Sequence, residues 1–246
     1  MQNAVIVVGA SMVLAIAGLF LVRRIADPLA LKENNEVAGF IYAVIGVVYA
    51  VILAFMVVAV WEHYSEAERN VEIEAAYLSE LLYQSKYYPD PARNNLREGI
   101  LVYVQAVVDD EWISMAQSRE SQRAWTAVQV LIDRYNEFRP QTPYEIAIYN
   151  ESLVKLREIG KYRNLRLYSS HGGLPAVMWL LLIAGGAIIV GVCYIFGMKN
   201  AWAHFLIVSS LAGLIAFCLF LIVSMDRPFK GAMRVEPTAF KELRVQ

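Results

Sequence analysis

Four apolar stretches, set in pairs at the two ends of the chain, frame a polar middle. Residues 4–22, 37–61, 174–198 and 203–225 contain no Lys, Arg, Asp or Glu. Each has the roughly 18 or more uncharged residues that a helix needs to cross a bilayer core with its backbone groups satisfied internally. The pattern predicts an all-α membrane protein. Four transmembrane helices are expected, with a helical bundle (residues 62–173) inserted between the second and third spans. Residues 1–61 carry the first two spans, 174–225 the last two, and 226–246 form a tail.

Inside 62–173 the apolar positions recur every three to four residues, without the alternation of strands. A first helix is predicted over 62–86, continuing the second span with Tyr64, Ala67, Val71, Leu78 and Leu81 on one face. Tyr88-Pro89-Asp90-Pro91 ends it, and Asp90 with Pro91 suits the cap and first turn of the next. That second helix shows Leu96, Ile100, Tyr103, Val104 and Val107, and a third carries Trp125, Val128, Ile132 and Tyr135. Thr142-Pro143-Tyr144-Glu145 reads as a capping box with proline at the first helical position. The helix it opens runs toward Ser170, and Gly172-Gly173-Leu174-Pro175 is the expected hinge into the third span. Short connections favour an antiparallel bundle.

Composition agrees with a membrane location: 58% of the 246 residues are hydrophobic, against roughly 45–50% in soluble domains. The net charge of −1 gives no field for binding nucleic acid. Eleven Lys and Arg near the membrane lie on the side of the bundle and termini, against Arg23, Arg24, Lys32 and Lys199 on the other. The positive-inside rule therefore places the bundle and both termini in the cytoplasm. Met1-Gln2-Asn3 lacks the basic start of a cleaved signal, so the first span is expected to be retained. Cys193 and Cys218 fall inside spans at depths about 10–15 Å apart by helical rise. That is too far for a disulfide. No nucleophile elbow, phosphate loop, zinc-protease motif or dinucleotide fingerprint is present, so neither an enzyme nor a cofactor is expected. Glu62, His63, His171, Asp226 and Arg227 cluster at one membrane boundary without metal-ligand spacing.

Two features carry candidate chemistry. The first is the second span, where Gly39, Ala43, Gly46, Ala50 and Ala54 form a small-residue face and Tyr42, Ile45, Tyr49, Ile52 and Met56 an opposite stripe. Small faces let helices approach closely in lipid, within one chain or between copies, and Ser209 and Gly213 form a similar pair in the fourth span. The tyrosine stripe admits two readings. It is either the lining of a gated pore or ordinary hydrogen bonding between helices. The second feature is charge: the first bundle helix is acidic near the membrane, including Glu62 and Glu66, and the last is basic, including Arg163 and Arg166. These groups are either complementary pairs on neighbouring helices or a charged vestibule at a pore mouth.

Asn34-Asn35-Glu36-Val37-Ala38-Gly39-Phe40, the run from Gly46 to Phe55, and Val60-Trp61-Glu62 resemble a bacterial family described as bestrophin-like. The segments 68–76, Asp110-Glu111-Trp112 and the closing Asp226-Arg227-Pro228-Phe229-Lys230-Gly231 are similar to that family as well. Bestrophins are pentameric anion channels with four spans per subunit, a helical cytosolic part, and a pore lined by the second span. The resemblance implies a homo-oligomeric ion channel of a bacterial inner membrane, anion-selective if the basic helix faces the vestibule. Inorganic ions and lipid are its expected partners. Asn35, Glu36, Asp226, Pro228, Phe229 and Gly231 are the family-motif positions. The chain departs from bestrophins in lacking the acidic run of their calcium clasp. The competing reading is a non-conducting scaffold or sensor whose bundle recruits a protein partner.

Overall fold

The computed structural model describes residues 2–26, 31–32, 35–231 and 233–244; Asn34 of the motif lies outside them. The described residues are almost entirely helical. In chain order they form α1 (Gln2–Ile25), α2 (Asn35–Ser85), α3 (Ala92–Ala106), a π-helical turn (Val107–Glu111), α4 (Trp112–Met115) and α5 (Gln122–Glu137). They continue as α6 (Pro143–His171), α7 (Ala176–Tyr194), α8 (Ala201–Met225) and α9 (Thr238–Leu243). The chain divides into two compact units, one of residues 1–61 and 174–224, the other of 62–173 and 225–246. Helix α2 is continuous through the point where they divide.

The first unit holds the four helices that are long and apolar enough to cross a membrane. Only between 11% and 33% of each apolar window is buried within the chain, so lipid or further copies must cover the rest. Arg23 and Arg24 occupy the last turn of α1, where positive charge complements the helix dipole. The third span ends at Tyr194, earlier than the apolar pattern indicates, because Asn35 captures the following loop. Its Nδ2 donates to the Gly197 carbonyl and its Oδ1 accepts from the Gly197 N–H, both at 3.0 Å. A small packed cluster of Ala15, Leu19, Cys193, Val208 and Ala212 joins α1, α7 and α8.

The second unit has a continuous hydrophobic core that includes Leu78, Leu81, Ile100, Val104, Leu131 and Ile159. Helix α5 starts at Ser121, whose hydroxyl accepts from the Ala124 N–H at 3.0 Å. Helix α6 starts with the expected capping box, Thr142 and Glu145 bonding each other's backbone. By contrast, α3 is capped at Pro91 with no side-chain bond, and Asp90 instead accepts from Asn94 Nδ2. Thr142→Ala is expected to cost about 1 kcal/mol of bundle stability, visible as a lowered thermal midpoint by circular dichroism. Residues 225–244 are part of this unit, with Phe229, Val235, Phe240 and Leu243 in its core. The tail expected as a separate segment is therefore built into the bundle.

Candidate functional site

Helix α2 has two different faces in the first unit. Tyr49 is 7% exposed, and its hydroxyl donates to the Leu182 carbonyl of α7 at 2.9 Å. Tyr42 shares a 3.0 Å hydrogen bond with the Cys193 thiol of α7, and its ring packs edge-on to Phe196. These tyrosines face their own chain's helices, so the pore-lining role expected for Tyr42 and Tyr49 is corrected. Their hydroxyls need partners in an apolar medium and find them on α7. Ile52 and Met56 are half-buried on the same side, while Ile45 is exposed.

Glycines on α7, not on α2, allow this approach. A Cβ at Gly185 would stand 2.6 Å from the Tyr49 ring, and one at Gly186 would stand 2.9 Å from its hydroxyl. Gly185→Leu is expected to force Tyr49 out of its seat at a cost of roughly 1–3 kcal/mol. A lowered melting temperature in detergent would show it; an unchanged melt would contradict the packing. Gly213 likewise admits α1, since its Cβ would be 3.2 Å from Met12. Ser209 is buried and bonds back to the Leu206 carbonyl of its own helix. The small face of α2 does something different. Ala43, Ala50 and Ala54 are exposed, a Cβ at Gly46 would meet nothing within 4 Å, and one at Gly39 would touch only Phe196. Among the described residues, the two glycines of this face meet nothing closer than that light contact with the loop after α7.

The second unit contains a buried ion network that the sequence pattern did not single out. Arg166 reaches Glu74 through Nε at 2.7 Å and Nη2 at 3.2 Å, and Glu111 through Nη2 at 2.7 Å. Arg163 Nη2 donates to the other Glu111 oxygen at 2.5 Å. The Tyr103 hydroxyl donates to Glu74 at 2.7 Å. All five side chains are essentially inaccessible. Burial alone opposes ionisation of Glu111, but Arg166 and Arg163 outweigh it and hold its carboxyl below the usual range. Burial likewise disfavours the Arg166 charge, yet Glu74 and Glu111 keep the guanidinium protonated well above its ordinary range. Burial, then the Glu74 charge, raises the Tyr103 hydroxyl far above its usual value. Two carboxylates and two guanidiniums thus form a neutral quartet linking α2, the π turn and α6. Trp112 and Phe240 flank the Arg166 guanidinium at 5.4 and 5.6 Å.

Arg163 and Arg166 are therefore not vestibule charges, since both are sealed in the bundle core. Of the four candidates, only Glu62 and Glu66 are exposed. One partly exposed ion pair does join α2 to α6, Lys155 to Glu80, and Lys155 also pairs with Glu151 of its own helix.

The motif positions have structural work. Asn35 holds the α7–α8 loop, Glu36 is exposed, and Asp226 lies near Gly173 with 9% exposure. The Pro228 carbonyl accepts from the Val235 N–H at 2.7 Å, which closes the tail loop. Gly231 has φ 125°, a conformation that L side chains rarely adopt. Phe229 packs edge-on to Trp112 at 5.7 Å. In Asp110-Glu111-Trp112, the Asp110 carboxylate bonds the Ser121 cap, Glu111 joins the quartet, and Trp112 Nε1 donates to the Val235 carbonyl at 3.1 Å.

A family model for the bestrophin-like domain matches residues 9–240. The chain belongs to the bestrophin-like family. No curated protein matches it. Among solved structures, a bacterial bestrophin homolog from Klebsiella pneumoniae carrying a point mutation is similar at TM-score 0.72 and 11% identity, over 97% of this chain and 98% of that one. The same homolog solved by Zn-SAD phasing gives TM-score 0.68 at 12% identity, over 95% and 94%. A structure described as a membrane protein gives 0.71 at 11% identity, over 100% and 97%. At such identities the likeness establishes the fold: the bestrophin-like chain shares the bestrophin architecture along nearly its whole length.

Proposed function

We propose that this bestrophin-like chain is one subunit of a homo-oligomeric ion channel whose conduction path is lined by α2. The supporting observation is the division of α2 into a committed face and an open one. Opposite the seated tyrosines, Phe40, Val44, Val47, Val51 and Val58 are 48–76% exposed, with Ala54 among them. One chain encloses no path with a single helix face. Copies arranged about an axis would bring these apolar side chains into a constriction that gates by dewetting. The open small residues Ala43, Gly46 and Ala50 suit close contact between neighbouring copies. A bacterial inner membrane, with the bundle and termini cytoplasmic, is the setting that the charge distribution favours.

Selectivity for anions depends on the basic helix facing the path. With Arg163 and Arg166 buried in neutral pairs, the exposed charges on the next turns of α2 are Glu62, Glu66, Glu68, Arg69 and Glu72, four carboxylates to one guanidinium. Carboxylate rings favour cations, so the proposed channel prefers cations.

Purified protein in planar bilayers is expected to give unitary currents that reverse near the potassium equilibrium potential in asymmetric KCl. Val51→Ala should widen the constriction and raise the single-channel current. Reversal near the chloride potential would overturn the cation preference. Silent bilayers with well-folded protein would overturn conduction itself and favour a membrane scaffold that binds a partner through its bundle.

A further inference from the structure

A second concave site lies in the bundle, away from α2's apolar face and not used by the proposed conduction. It is a cavity of about 580 Å³ formed by the ends of α2 and α6, within the usual range of small-molecule pockets. Tyr83, Tyr87 and Tyr144 contribute its aromatic walls, and Glu80, Glu151 and Lys155 its charges. Tyr83 and Tyr87 stand nearly at right angles, their ring centroids 5.6 Å apart with an interplanar angle of 73°. A 2.9 Å hydrogen bond between their hydroxyls holds that corner. All three tyrosines remain 45–60% exposed, so a ligand can reach them.

We propose that this cavity binds a small organic cation of the quaternary ammonium class. Two perpendicular tyrosines with a third nearby present the negative faces that attract such cations. Two carboxylates, Glu80 and Glu151, both pair with Lys155 and border the aromatic corner. The chemistry is already in use at the rim, where the Lys86 ammonium sits 5.3 Å from the Tyr83 ring centroid. A quaternary ammonium needs no hydrogen-bond acceptor, so it can use the aromatic corner without displacing Lys155.

Calorimetric titration of the purified full-length protein with choline, at low ionic strength, tests the assignment. Choline is expected to bind, and its uncharged isostere 3,3-dimethylbutan-1-ol to bind much more weakly. Tyr87→Ala should weaken choline roughly two- to tenfold, the range of a partly exposed cation–π contact. Tyr87→Phe, which keeps the ring, should retain binding. Lys155→Gln should strengthen binding several-fold by removing the competing positive charge, an effect opposite to what simple damage to the fold would give. Equal binding of the neutral alcohol, indifference to Tyr87→Ala, or no heat at millimolar choline would each overturn the proposal. Binding of a lysine-rich peptide without choline would overturn it in favour of a protein partner.

Discussion

Replacing Arg166 with methionine is expected to destabilise the bundle by roughly 3–5 kcal/mol, the cost of breaking a buried ion network from one side. The guanidinium makes three of the quartet's four contacts to carboxylate oxygens, and it is fully buried. Glu74 would keep only the Tyr103 hydroxyl, and Glu111 only Arg163. Because the penalty comes from stranded charge, the double variant Arg166→Met with Glu74→Gln should recover part of the loss. Thermal or denaturant unfolding in detergent reads both.

The same network predicts a pH signature. Glu111 ionises more readily in the folded state than its ordinary value of 4.5, so its ionisation stabilises the fold at neutral pH. That contribution is present above the unfolded value and is lost as pH falls through the lowered folded value. In Arg166→Met, Glu111 loses one of the two guanidiniums that hold its carboxyl low and is easier to protonate, so the variant's deficit should shrink as pH drops into the carboxylate range. A deficit that stays constant from neutral pH to about pH 4, the ordinary carboxylate value, would refute the charged quartet.

Trp112→Ala should have a comparable effect, roughly 3–5 kcal/mol for truncating a packed tryptophan, and a different symptom. Trp112 is where the tail meets the bundle: Phe229 and Phe240 pack on its ring at 5.7 and 5.8 Å, and Val235 accepts its N–H. Losing the ring should free residues 226–244. Limited trypsin digestion is then expected to cut after Lys230, Arg234 and Lys241 well before wild-type protein is cleaved. Trp112→Phe, which keeps an aromatic ring and loses one hydrogen bond, should cost nearer to about 1 kcal/mol. Equal protection of the tail in Trp112→Ala and wild type would refute its anchoring role.

The register of the apolar positions already points to the quartet. Ala67, Val71, Glu74, Leu78 and Leu81 fall at three-to-four spacing on the buried face of α2, so a carboxylate stands in the core stripe. Leu156, Ile159, Arg163 and Arg166 repeat the pattern on α6. A charge at a core-face position is costly unless paired, and helical spacing alone therefore marks both ends of the network. Treating Arg163 and Arg166 as members of an exposed basic helix misses this register. Glu111 is harder to find, because the π turn before Trp112 adds a residue to the helical period and shifts which side chains face inward.

The number of spans, the helical nature of the middle segment and the capping box at Thr142 were legible in the sequence. They follow from local physics, since a bilayer demands long uncharged helices, and capping and proline geometry act within a few residues. Which face of α2 turns inward was not legible. Both faces are apolar, so hydrophobicity favours neither. The choice is made by Gly185 and Gly186, far along the chain on α7, whose missing side chains leave room for Tyr49. The place of the tail was decided in the same way, by Trp112 across the fold. Such pairings depend on shape complementarity between distant segments, and only the folded chain brings those segments together.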